Sequence, residues 1–461
     1  MEIGGNLPLM RAKNGKRNFN WYRLDNAATI MPSTTRGPDT RCFRITCTLR
    51  EAVDPNILQH ALDRVMEEFP HLQTVLRKGL FWYYFDETQE KPVVEEDRGG
   101  ICRALYVPGR RSLLFRVLYA GSQISLEMYH AIADGTGGLM ILKSLVLHYL
   151  SEKHGISLEQ AVEGDASAAQ KSDDAFARYY QKGSDPKVHN FDPADAGKAA
   201  RHPKEQPSRK KHRRQWAQFA LQKAYQIPME KDFSLQCHYL EATAKTSEVR
   251  ALAAKNKTTI GVFVVSVFIQ SLIETMRAGA ARHPIVISVP VNLRQYFPSR
   301  TARNFFGVIS VAYRPGDYDG TLESILRPVA QQFSEQLTRE AIEKTMNGYS
   351  GLVHNLAIQA VPLFLKDIGL SRITLLTRRG TTAVVSNLGA VRLPEEAAPF
   401  VDRFSAYMTA PRLQMCISSF GEKMVFGVVT AYDEKALLPA FFRKFTGAGL
   451  SLEIGSSDFD A

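Results

Sequence analysis

Between residues 124 and 129 apolar and polar positions alternate, with Ile124, Leu126 and Met128 set against Ser125 and Glu127. That period of two predicts a strand with one buried face. The pattern then changes. After the turn Asp134-Gly135-Thr136-Gly137-Gly138, the residues Leu139, Ile141, Leu142, Leu145, Val146 and Tyr149 trace the broad apolar stripe of a buried helix. His130 therefore falls where a strand ends, a position from which a rigid scaffold can present a reactive side chain.

The same reading extends along the chain. Residues 42–49 alternate as a strand, and Asp54 followed by Pro55 opens a helix whose apolar face carries Leu58, Leu62, Val65 and Phe69. Asp25 and Asn26 read as turn formers, and His71, just past that helix, as structural. Strands are predicted over 74–77 and 80–85, with the aromatic run Phe81 to Phe85 in a sheet core. Residues 112–119 pair with 124–129 as a hairpin around Gly121. Ser157 and Gln160 have the spacing of a capping box.

From 183 to 207 Pro, Asp, Lys and Gly mix without periodicity, which marks a linker. Beyond it the pattern predicts a strand over 234–243, helices over 247–255 and 258–276, and strands over 284–289 and 306–313. Helices over 322–344 and 353–365, four β-rich segments over 381–430 and a closing helix over 434–445 complete it. The expected division is a first lobe over 1–182, a basic, proline-containing linker over 183–214 and a second lobe over 215–461. The class is α/β, an α+β arrangement with mixed sheets.

Composition narrows this picture. A chain of 461 residues with 44% hydrophobic and 23% charged residues suits a soluble protein with two cores. The first ten residues lack the basic and apolar regions of a secretory signal. The most apolar run, 260–273, would span about 21 Å as a helix, short of a bilayer core, so no transmembrane segment is expected. Cys42, Cys47, Cys102, Cys237 and Cys416 form no zinc-like spacing, so no metal is implied and a reducing, cytoplasmic location is expected. The formal charge is +11, and about half of that excess lies between Arg201 and Arg214. An excess so localised speaks against nucleic-acid binding.

The chemistry centres on His130. An imidazole at a strand end can take a proton from an acceptor group and return it to a leaving group, or it can be a satisfied loop histidine. Asp134 either faces the ring or points away and ties the loop to another segment through an arginine.

Tyr129-His130-Ala131-Ile132-Ala133-Asp134-Gly135 resembles the His-His-x-x-x-Asp-Gly signature of the chloramphenicol acetyltransferase-like superfamily. That group includes alcohol acetyltransferases, wax ester synthases, plant acyl-CoA transferases and the condensation domains of nonribosomal peptide synthetases. The segment from Pro290 to Arg294 is similar to the one whose arginine pairs with the motif aspartate. Val385-Ser386-Asn387-Leu388-Gly389 resembles the Ser-Asn segment on a central strand near the active-site tunnel. Tyr129 stands where the family has its first histidine, a largely structural position, and Tyr129→His is expected to be nearly neutral. The Asp-Phe-Gly-Trp-Gly motif of the plant branch is absent.

The resemblance implies two acetyltransferase-like lobes with an active-site tunnel between them. It implies His130 as general base, Asp134 and Arg294 as a structural pair, Gly135 in the active-site turn, and Ser386 and Asn387 as positioning or oxyanion-binding groups. An acyl-CoA such as acetyl-CoA would be a co-substrate with no bound cofactor, and the acceptor a small alcohol or amine. A carrier-protein thioester is the alternative donor, and a non-catalytic binding protein the alternative role.

Overall fold

The computed structural model describes residues 21–35, 37, 39–157, 166–180, 223–228, 230–231, 238–277, 279–353, 360–409, 413–430, 432–433 and 436–456. Two mixed sheets organise two lobes. In the first sheet the order is Val401–Met408, Cys42–Leu49, Gln123–Tyr129, Phe115–Ala120 and Glu95–Glu96. Helices Pro55–Glu68 and Gly135–His154 pack together, and the latter lies on the sheet. Asp54 starts the shorter helix by accepting from the amide of Asn56 at 2.9 Å, and Pro55 occupies the first turn, where no amide hydrogen is needed. Gly155, at φ 67°, ends the longer one in the left-handed conformation.

The second sheet has the order Phe306–Tyr313, Ile285–Asn292, Ala383–Ala390, Leu413–Phe420, Lys423–Thr430, His238–Lys245 and Glu453–Ser456. Its core includes the apolar helix Ile260–Glu274 together with Glu323–Gln336 and Leu437–Gly447. Buried there, the run at 260–273 needs no membrane. Among the described residues no single helix is long and apolar enough to cross one.

The sheets do not follow the linear division of the chain. Val401–Met408, far beyond residue 215, runs antiparallel to Cys42–Leu49 and forms the outer strand of the first lobe's sheet, with Phe404 opposite Cys47 and Ala406 opposite Ile45. Lys423–Thr430 of the second sheet presses against this exchanged strand. A Cβ on Gly427 would stand 2.2 Å from the carbonyl oxygen of Ala406, so the approach requires glycine. The predicted linker, the basic run 201–214 and most of the 157–160 capping box lie outside the described residues. A capping box does form at Ser167 and Gln170.

Four local readings differ from the pattern. The strand carrying Ser125 and Glu127 is buried on both faces, because arginines on the two neighbouring strands neutralise Glu127. In the aromatic run Tyr83 and Phe85 are buried, but the strand begins only at Tyr83, and Trp82 lies in the preceding turn, exposed. The helical stretch 322–344 divides into Glu323–Gln336 and Arg339–Val353. Finally, no helix spans the predicted 353–365: Val353 ends the preceding helix, 354–359 lie outside the described residues, 360–362 are not helical, and the helix Leu363–Thr377 begins after Pro362 with its apolar side outwards and its polar side inwards.

Candidate active site

His130 follows directly on the last residue of its strand, and its backbone amide donates to the carbonyl of Arg41 at 2.9 Å. The ring lies between Phe43 and Phe306, with centroids 5.4 and 5.3 Å away, so residues from both lobes enclose it. It is buried apart from a small opening of 9%.

Asn304 determines which ring nitrogen carries the proton. Its Nδ2 donates to Oδ2 of Asp25 and to the carbonyl of Ala131, both at 3.1 Å. With its amide group so engaged, Asn304 presents its Oδ1 to His130 Nδ1 at 3.1 Å. Nδ1 must then be the donor, and Nε2 is left with a free lone pair. Burial lowers the His130 pKa below its ordinary value of 6.5, outweighing the opposing effects of its own backbone carbonyl, the Asp134 charge and the Asn304 contact. The shift favours the neutral form of the ring.

Behind Asn304 lies Asp25, which is 1% exposed. Its Oδ1 accepts from the amide of Ala28 at 2.8 Å, and Arg303 stands 3.8 Å from its Oδ2. Desolvation outweighs these favourable contacts and pushes its pKa up to about 7. The turn reading of Asp25 is thus accompanied by a second connection, through Asn304 to His130. A cavity of about 50 Å³ adjoins this network, lined by Arg303, Ile132, His71 and Thr74 among others.

Asp134 does not face the imidazole. Its Oδ1 caps the helix by accepting from Gly137 N at 2.7 Å, and its Oδ2 accepts from Arg294 Nη1 at 2.9 Å and from Phe305 N at 2.7 Å. Arg294 Nε and Nη2 donate to the carbonyls of Thr301 and Arg303, at 2.9 and 2.6 Å, and Nη1 also reaches Asn292 Oδ1 at 3.2 Å. The pair therefore clamps the loop that carries Asn304. Gly137 takes part sterically, because a Cβ there would fall 1.8 Å from the carbonyl oxygen of Ala302. Gly135 is different. A Cβ on it would meet only Leu388 Cγ, at 3.9 Å, so Gly135 serves as the first helical residue without being sterically required.

Ser386 and Asn387 lie on the second lobe's strand Ala383–Ala390, and neither is hydrogen-bonded to His130 or Asn304. Asn387 Oδ1 accepts from Gly389 N at 2.8 Å across an irregularity in the strand. The strand reaches the site through Leu388. Tyr129 points into a packed core instead, fully buried, stacked on Tyr106 at 5.3 Å and with its hydroxyl 2.9 Å from Thr35 Oγ1. A histidine here would lose the stack and that hydroxyl contact, so Tyr129→His is expected to lower stability, a cost that the sequence pattern does not reveal.

No model of a known protein family matches the chain, and no curated protein matches it in sequence. Solved structures do. A trichothecene 15-O-acetyltransferase from Fusarium sporotrichioides superposes with a TM-score of 0.61 at 10% identity, covering 92% of this chain and 93% of the other. The fold is that of the two-lobed acyltransferases and condensation domains. The F. sporotrichioides TRI101 complex with coenzyme A and T-2 gives a TM-score of 0.56 at 12% identity, covering 94% of this chain and 99% of that one. The first condensation domain of the CDA synthetase gives 0.56 at 14% identity, covering 92% and 95%. At such identities the acyltransferase-like fold is what these neighbours share with this chain.

Proposed function

We propose that the protein is an acyltransferase that moves an acyl group from a CoA thioester to the hydroxyl of a small acceptor, with His130 as general base. The observation that carries this reading is the orientation of the His130 ring. Asn304 occupies Nδ1, leaving Nε2 as an unpaired acceptor on a buried, neutral imidazole between the lobes. In this reaction the acceptor O–H gives its proton to Nε2 as the oxygen attacks the thioester carbonyl carbon. The C–S bond breaks, and the departing sulfur takes the proton back from Nε2. A ternary complex suffices, because the base that receives the proton also returns it.

Asp134 and Arg294 are positioning residues in this scheme, acting through the loop that bears Asn304. Ser386 and Asn387 are assigned to substrate positioning. The Asn387 amide nitrogen lies 3.9 Å from where a Cβ on Gly261 would stand, beside the first turn of the helix Ile260–Glu274, and we assign it as the candidate donor to a developing oxyanion. Support for the donor comes from neighbours described as an acetyltransferase and as a complex with coenzyme A. The condensation-domain neighbour, with the same TM-score as TRI101, favours a second reading in which the thioester is borne by a carrier protein.

Thiol release from acyl-CoAs of graded length, followed with a thiol reagent in the presence of an alcohol panel, tests the choice. Saturable, His130-dependent release is expected. Turnover of an acylated carrier protein with no CoA donor accepted would replace the first reading by the second, and tight ligand binding without turnover would leave a non-catalytic binding protein.

A further inference from the structure

The helix Leu363–Thr377 presents its polar side inwards. Asp367 accepts from Ser33 Oγ at 2.6 Å, from Lys78 Nζ at 2.7 Å and from the Tyr83 hydroxyl at 3.1 Å. Ser371 Oγ donates to the carbonyl of Ser33 at 2.8 Å, and beyond the helix Arg378 pairs with Asp39 at 2.6 Å. The apolar side faces out. Phe364, Leu365, Ile368, Ile373, Leu375 and Leu376 are between 48% and 58% exposed. With 3.6 residues per turn, five of these six fall within about a third of the helix circumference, and Ile373 lies beside them.

The apolar surface continues onto the turn joining strands Thr74–Lys78 and Tyr83–Glu87, which with Trp21–Arg23 form a small three-stranded sheet. Leu363 N donates to the carbonyl of Leu80, and Lys366 Nζ donates to that of Phe81, both at 2.8 Å. These bonds bring Leu80 and Trp82, 71% and 44% exposed, to the N-terminal end of the helix. Arg23 stands over the Trp82 ring, 5.8 Å from its centroid. Apolar patches of this continuity on a protein surface mark an interaction site.

Charge decides between occupants. Residues 363–380 contain Lys366, Arg372, Arg378 and Arg379 against Asp367 as the one acid. Arg372 projects within the apolar stripe, between Ile368 and Leu365 around the helix. A second copy docked there would bury this cation against apolar side chains and its own counterpart. At an anionic bilayer the same side chain reaches out to a phosphate while leucine, isoleucine and phenylalanine enter the acyl boundary and the indole rests among headgroups.

We propose that this face docks the protein peripherally on an anionic phospholipid surface. The proposal does not depend on the catalytic reading, and its test uses no turnover. The full chain is floated with vesicles of phosphatidylcholine alone or of phosphatidylcholine mixed with phosphatidylglycerol. Binding to the mixed vesicles is expected, weakening as salt is raised. Combining Leu365→Glu, Ile368→Glu and Leu376→Glu should reduce partitioning by at least about tenfold with an unchanged melting temperature, since these side chains are solvent-facing. Arg372→Gln should reduce it by roughly fivefold, the weight of one cation near such a surface. Failure to bind the mixed vesicles, or binding that the triple variant retains, overturns the proposal. A dimer in solution that the triple variant dissociates, without vesicle binding, overturns it in favour of a second copy.

Discussion

Glu127 and His130 are three residues apart, both buried, and opposite in how far their bonding capacity is used. Glu127 Oε1 accepts from Arg44 Nε and Cys102 N, and its Oε2 from Arg116 Nε, all at 2.7 Å. The two arginines face it in register from the strands on either side, and Arg44 is paired further with Asp97. His130, by contrast, uses one nitrogen and leaves the other open. A buried group whose partners fill its bonding capacity has no site left for another. One that is neutral, oriented and incompletely bonded has somewhere to put a proton.

The largest effect is expected at the open group. His130→Ala should reduce turnover by about a hundred- to ten-thousand-fold with little change in melting temperature, measured by thiol release and calorimetry. Glu127→Ala should do the reverse, lowering stability by about 3–5 kcal/mol because half-buried Arg116 loses its counter-charge and buried Arg44 keeps only Asp97. Loss of turnover in Glu127→Gln at unchanged stability would break the contrast. Asp134→Asn and Arg294→Ala should each lower stability and activity together, and a double-mutant cycle should show them coupled. Additive losses would mean that the clamp does not act as a unit.

Smaller effects sharpen the orientation argument. Asn304→Ala should lower kcat more than it raises KM, because it frees the imidazole to adopt the wrong tautomer, whereas a merely structural Asn304 would affect both through stability. The acid limb of the kcat/KM profile should fall below pH 6.5, since burial depresses the His130 pKa and the base must be neutral. An inflection above 6.5 would contradict this. Asp25 is shifted upwards, so the proton it holds in the fold is released by the unfolded chain. Its contribution is full below the unfolded pKa of 3.8 and lost as pH rises through about 7. Melting curves of Asp25→Asn across that window should lack this decline.

Much of the frame was legible in local pattern. Residues 42–49 and 306–313 form strands with the predicted bounds, and the four β-rich segments of 381–430 are four strands, because alternation and β-branched runs are short-range signals. Asp134 and Arg294 meet as one of the two readings of Asp134 required. Asn304 was not legible. It is a single polar residue before two phenylalanines, 174 positions from the histidine it orients, and long-range contacts of Arg294, Asp134 and Asp25 hold it there. Glu127 misled for a related reason: alternation predicts a wet face, whereas two arginines on separate strands make the charge tolerable inside. The Leu363–Thr377 helix escaped notice because the pattern assumes that its apolar side is the buried one.

The exchanged strand Val401–Met408 also imposes an order on biosynthesis. Until residue 408 has left the ribosome, the Cys42–Leu49 strand lacks its outer partner, and its backbone donors and acceptors form an open edge available to other chains. Closing that edge joins residues more than 350 positions apart, a slow, non-local step. The nascent first half should therefore depend on chaperones for longer than its own length suggests. Severing the chain between the lobes should yield an aggregation-prone first fragment that becomes soluble when the second is co-expressed.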